Sequence, residues 1–393
     1  MTAPNEKAKR FTTVFYLVAL AACKRSHAPP AEPVPIAARS AAYVTNNGSD
    51  TIAVIDRDGD AVVTRSLDID ASAHEAPHHL ALDGAGHLFV ALAFPPAETN
   101  ASDKHAGHGG SDSLGALLRL DQKTLAVETS RDVDQNPGDV VLTHDEKRLL
   151  VTHFDMRRAM QQAKAAAITS KMYARLMVLD TKTLDVVAAR AVCVAPHGIA
   201  VAKDDSFAAI ACYGSDEIAI VELGNPELPT AHVPIAATAG VPGAPRFGPY
   251  SIAIAPDQKR AIVADMESAD VRVIDLAARQ FLADSAIPLG ARAMMPDFVS
   301  DADALVPLQG PDGLARVDIA KGAVVARVAF GAECKLPHVA RVAPDGRAYV
   351  VCEGDHKEAG AVLEIDPATL ATKKRWVVGV YPDGIVFSDR PKK

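Results

Sequence analysis

Seven times along this chain an apolar run ends in an acidic residue. The runs are Tyr43 to Asp56, whose second half sets the pattern, then those ending at Asp121, Asp180, Glu222, Asp275, Asp318 and Asp366. Each is short, mixes β-branched with aliphatic residues and is flanked by turn residues, which reads as a strand. A second marker falls between them. Pro77, Pro137, Pro196, Pro249, Pro337 and Pro382 each precede a large apolar residue by five positions, respectively Leu82, Leu142, Val201, Ile254, Val342 and Phe387. In four copies an Asp follows three residues later, at Asp145, Asp204, Asp257 and Asp345. A seventh copy at Ala293, Phe298 and Asp301 has lost the Pro, and nearby Pro296 is out of register.

A unit with a Pro-marked opening, two strands about an acidic turn, a third strand ending in an acid and a variable fourth is a β-propeller blade. The expectation is an all-β, seven-bladed propeller of four-stranded antiparallel blades. The first unit lacks an opening strand and the C-terminal "YPDGIVFS" has nothing after it. One C-terminal plus three N-terminal strands would therefore close the ring and remove the open edges.

The N-terminus reads as a targeting segment. Lys7, Lys9 and Arg10 precede an apolar run, Phe11 to Ala22, too short to span a bilayer. Leu20-Ala21-Ala22-Cys23 resembles a bacterial lipobox, in which the Cys is acylated and becomes the first mature residue. The expected plan is a lipoprotein signal over 1–22, a Pro-rich tether over 23–41 after lipidated Cys23, and one propeller domain over 42–393. The resemblance implies a cell-envelope lipoprotein, held in the outer membrane by its lipid and facing the periplasm or the cell surface. Without 1–22 the chain carries 38 Lys+Arg against 48 Asp+Glu, a net charge of −10. Such a balance, with no basic cluster, gives no electrostatic footprint for nucleic acid.

Tyr43-Val44-Thr45-Asn46 and the repeated "PHGIA" and "PDGI" openings are similar to the YVTN-repeat, YncE-like propellers over residues 42 to 389. That resemblance implies the fold. It leaves function open among binding platforms, lactonase-like enzymes and scaffolds of quinoprotein-type and copper enzymes.

Loops opening the first strands and loops joining second to third strands share one face of a propeller, around the channel mouth. Inserts at about 94–115, Gly/Ser-rich, and 154–173, rich in helix formers, fall on that face and suggest a lid or ledge. The residues just after each register position should point to the mouth: His78, Gly138, His197, Tyr250, Met294, His338 and Asp383, with His79 and Met295 beside them. His153, closing a second strand, should reach it too. These make a His-bearing ligand pocket. His78, His197 and His338, on three separate blades, are the candidate metal ligands, suited to copper or zinc. His105 and His108 in the first insert add a weaker set.

Four cysteines remain. Each pair brackets a hairpin whose ends meet, which favours disulfides Cys193–Cys212 and Cys334–Cys352 in an oxidising compartment. Ideal hairpin register instead sets Cys212 opposite His197 and Cys352 near His338, so a Cys-His-Cys metal cluster competes. No CxxCH, Walker loop, HExxH or GxSxG stands out. The leading expectation is a non-catalytic platform with no resident cofactor, docking a protein, glycan or small molecule at the mouth. A lactonase-like hydrolase or copper/zinc enzyme, and a scaffold subunit of a quinoprotein-type complex, are the alternatives.

Overall fold

The computed structural model describes residues 40–67, 69, 73–94, 113–162 and 167–389. The signal, Cys23, most of the tether, and His105 and His108 lie outside the described residues. The rest is the seven-bladed propeller the repeats predict. Its innermost strands are Pro77–Leu82, Pro137–Leu142, Pro196–Val201, Pro249–Ile254, the split pair Arg292–Ala293 and Asp297–Phe298, Pro337–Val342 and Pro382–Phe387, numbered here as blades one to seven. In blade seven the C-terminal strand Pro382–Phe387 pairs with Ala41–Asn46, followed by Thr51–Asp56 and Val62–Ser66, which closes the ring.

Burial follows position in the blade. Second and third strands are buried on both faces, as in His87–Leu92 and Gly115–Asp121, so they read as continuous apolar runs. Outer strands alternate, as in Val127–Val133 and Ala323–Ala329, with one face in water. The core is therefore not central. It is seven apolar layers between neighbouring blades, for example Phe89, Ala91 and Leu117 of blade one against Leu149, Val151 and Met177 of blade two.

One local device recurs at the axis. After the opening Pro, six blades show a bulge: Pro77 pairs with Leu92 but Leu80 with Val90, and the same shift occurs after Pro137, Pro196, Pro249, Pro337 and Pro382. An extra residue on the inner strand re-aims the side chains beside it. The residue before each of these prolines has positive φ, namely Ala76, Asn136, Ala195, Gly248, Leu336 and Tyr381. Since a residue before Pro ordinarily stays extended, the repetition marks this corner as a fixed feature of the blade. Blade five departs from the plan. Met294–Pro296 leave the sheet, and Met295 forms a parallel bridge to Val339 of blade six, with its N–H donating to the His338 carbonyl at 3.0 Å.

Threonine rivets the inner strands together. The Thr45 hydroxyl, from the Tyr-Val-Thr-Asn stretch, accepts from Gly384 N–H at 3.0 Å and donates to the His78 carbonyl. Thr152 repeats the motif between Asp139 N–H at 3.0 Å and the His197 carbonyl at 2.6 Å.

Candidate functional site

The bulges and rivets bring four imidazoles to the propeller axis. His78 and His79 come from blade one, His197 from blade three and His338 from blade six, and the most exposed of them is 3% accessible. Ring centroids lie 4.1 Å apart for His78 and His79, 5.8 Å for His78 and His197, 5.5 Å for His79 and His197, and 6.1 Å for His79 and His338. One nitrogen from each of His78, His79 and His197 falls within 4.8 Å of the other two. Gly138 makes room for this: a Cβ there would stand 3.0 Å from Thr152 Oγ1 and 3.4 Å from His197 Cδ2.

Asp383, from blade seven, is fully buried and bridges two of the rings. It bonds His78 Nδ1 and lies 2.9 Å from His338 Nδ1. Burial alone would raise its carboxyl, but His78 and His338 outweigh that and hold it well below the usual carboxylate range. His338 is engaged at both nitrogens. Its Nδ1 also lies 3.2 Å from Glu353, and its Nε2 bonds the Tyr250 hydroxyl at 3.0 Å. Burial pulls the His338 pKa down, yet Glu353 and Asp383 prevail and raise it. His79 goes the other way: burial, then the neighbouring His78, drive it well below the ordinary value despite Asp383. Tyr250 stacks on His197 at 4.0 Å, and burial keeps its hydroxyl protonated.

The three imidazoles whose nitrogens lie within 4.8 Å of one another are those of His78, His79 and His197. His79 joins His78 and His197 because the bulge turns it to the axis, while His338 is occupied by carboxylates and a phenol. The bulge also settles the cysteines. Cys212 pairs with Pro196 and Cys352 with Pro337, not with the histidines. The disulfides Cys193–Cys212 and Cys334–Cys352 are formed, with Cα atoms 5.8 and 5.2 Å apart, so the Cys-His-Cys cluster is not. His153 stays in its blade, its Nδ1 2.7 Å from the Arg175 carbonyl. Met294 is buried in the apolar layer described next.

An open pocket at the insert-side mouth is not what the described residues form. Phe154 stands edge-on to His197 at 5.3 Å and packs with Tyr213 and Tyr250. The second insert contains an α-helix, Met156–Gln161, with Asp155 as N-cap. Its buried Met156 and Ala159 join Phe154, Met172, Tyr213, Met294 and Met295 in one apolar cluster over the imidazoles. The axial cavity, about 310 Å³, lies on the other side. His79 and Asp139 line it together with the far ends of the inner strands, Leu82, Leu142 and Val386 among them, and Arg341. Asp139, Asp297 and Arg341 escape notice in the sequence, although Asp139 stands one residue past the blank register position Gly138. Burial raises both carboxyls against the opposing charge of Arg341.

No protein-family model and no curated protein matches the chain. Solved structures match by fold. The periplasmic gluconolactonase PpgL of Pseudomonas aeruginosa is 19% identical, with 88% of this chain and 98% of that one covered and a TM-score of 0.60. A Bacteroides uniformis protein, provisionally named a 6-phosphogluconolactonase, is 13% identical over 89% and 100% of the two chains, with a TM-score of 0.63. AztD of Citrobacter koseri, in its apo form, is 14% identical over 88% and 97%, with a TM-score of 0.51. At these identities the likeness is one of fold, and this chain is a seven-bladed β-propeller with neighbours among gluconolactonase-type propellers.

Proposed function

We propose that this protein is an exported, lipid-anchored binding propeller of the YVTN-repeat kind whose ligand is a transition-metal ion held on the axis by His78, His79 and His197. The observation that carries the reading is the convergence of three buried imidazole donors within 4.8 Å. Three nitrogens about one zinc or copper ion at 2.0–2.1 Å stand about 3.4 Å apart, a closure that modest ring movement supplies. An all-imidazole set suits zinc and copper and disfavours calcium and magnesium. Asp383 supports the set from behind: by taking Nδ1 of His78 it fixes the tautomer in which Nε2 is the ligand atom. The lipid anchor rests on the lipobox resemblance ending at Cys23.

The test is metal content by plasma mass spectrometry after dialysis against zinc(II) or copper(II). One ion per chain is expected, lost in His79→Ala and His197→Ala and retained in His338→Gln. Asp383→Asn should weaken binding about 10- to 100-fold, the usual cost of losing such an outer partner. A chain that holds no zinc or copper overturns the proposal. Retention of the ion in His79→Ala with loss in His338→Gln overturns this ligand set.

A further inference from the structure

The two ends of the axis are unequal. On the insert side the histidines lie under Phe154, Met156, Met172, Tyr213, Met294 and Met295, none more than 7% exposed. That apolar layer offers a hydrated cation no polar group, and the polar side chains beside it on the same face, Gln309, Glu353 and His356, converge on His338 and not on the trio. On the opposite side the cavity of about 310 Å³ reaches His79 directly. We infer that a metal ion enters and leaves the three-histidine site through this cavity, from the face opposite the inserts. The inference rests on the metal-binding reading above.

Two observations carry the direction. His79 is the one member of the trio in the cavity wall, and its Nε2 is buried without a hydrogen-bond partner among the described residues. Asp139, whose Oδ1 lies 3.9 Å from His79 Nδ1, sits in the same wall. Its carboxylate is fixed by the N–H groups of Ile199 and Val140, each at 2.9 Å, so it stands as a ready oxygen donor next to the nitrogen site. The acidic turns of the repeat ring the cavity's outer end. Asp145, Asp204, Asp257 and Asp345 follow directly on inner strands, and Asp83 and Asp301 fall in the corresponding turns of blades one and five. Each serves its turn locally, as Asp145 does in accepting from Thr143 Oγ1 and Lys147 N–H. Bases offset them, as Lys147 does for Asp145 at 3.2 Å and Arg57 and Arg347 do for Asp345 at 3.1 and 2.8 Å, so these turns mark the cavity's rim and their charge does not set the direction.

The experiment compares two single cysteines alkylated with N-benzylmaleimide in the full chain. Leu142→Cys places the adduct at the cavity's outer end, and Met160→Cys places it on the helix over the insert-side face, where Met160 is 63% exposed. The native pairs are disulfides and do not react, while Cys23 behaves alike in every variant. The rate of zinc extraction by an external chelator is then followed in stopped flow. Alkylated Leu142→Cys should slow extraction by an order of magnitude with one zinc per chain retained at equilibrium, and alkylated Met160→Cys should match the parent. Leu82→Cys, at the same end of the cavity, should repeat the Leu142 result. Unslowed extraction from both cavity adducts, or slowing confined to Met160→Cys, overturns the route while the metal site stands. A parent chain without bound zinc overturns the route and the metal site together.

Discussion

His153 lies off the axial cluster, and its burial makes a measurable prediction about acid stability. The side chain is 1% exposed, with Nδ1 donating to the Arg175 carbonyl and Nε2 buried without a hydrogen-bond partner among the described residues. Burial, helped by the charges of Arg175 and Arg158, outweighs the Arg175 carbonyl and Asp134 and lowers its pKa to about 4. The sign follows from linkage. The unfolded chain takes up the proton below about 6.5, while the folded chain refuses it until about 4, so stability is complete above pH 6.5 and is lost as pH falls between those limits. At pH 4.5 the loss from this residue is about 2.5 kcal/mol, near its ceiling of about 3.4 kcal/mol. His153→Asn keeps a donor for the Arg175 carbonyl and cannot titrate. Unfolding of chelator-treated protein in urea, followed by fluorescence of the lone, buried Trp376, should be run at pH 7.5 and 4.5 for both chains. Wild type should lose about 2.5 kcal/mol more than the variant between the two pH values. Equal losses would refute the claim that His153 is held neutral by burial.

Two further outcomes follow from structure alone. Denatured, unreduced protein should show no reactive thiol among Cys193, Cys212, Cys334 and Cys352, and the double change Cys193→Ser, Cys212→Ser, which opens a loop of 19 residues, should cost about 3 kcal/mol in the same urea assay. Four reactive thiols would sink both halves. Arg57 is 1% exposed and joins blade seven to blade six and the C-terminus, pairing with Asp345 and Asp389, bonding Tyr349 Oη at 3.3 Å and lying over the Phe387 ring. Arg57→Ala should cost about 3 kcal/mol, because it strands partly buried carboxylates, and Arg57→Lys should not restore the planar contacts. A change below about 0.5 kcal/mol, the usual span for surface substitutions, would show that this junction does not hold the ring closed.

The fold was legible because its information is repeated. Each copy of the Pro-marked opening and acid-ended strand reports the same local geometry, so even blade five, without its Pro, could be placed from Ala293, Phe298 and Asp301. The disulfides were legible as pairs, but their relation to the histidines was not. Ideal register set Cys212 opposite His197, and the bulge after Pro196 moves that contact to Pro196. The same bulge explains the site. A strict alternation admits one axial residue per inner strand, and on that rule Gly138 made blade two look blank, while His79 counted only as a neighbour. With the extra residue both positions after the Pro reach the axis, and it is the second that supplies His79 and Asp139.

What periodicity could not carry was the contrast between the two ends of the axis. The sequence leaves the insert over 154–173 open between a lid and a ledge at the mouth. In the structure, Phe154, Met156 and Ala159 turn inward and meet Met294 and Met295, which blade five can offer because its inner strand breaks between Ala293 and Asp297. The lost Pro of one blade and the added helix of another are thus two halves of one closure, far apart in sequence and joined only by packing. A repeat reports what its copies share, whereas a site on a propeller axis is made from where they differ. The residues to question first in such a chain are therefore those at which a single copy breaks the pattern: the second His of blade one, the Asp after Gly138 and the two methionines of blade five.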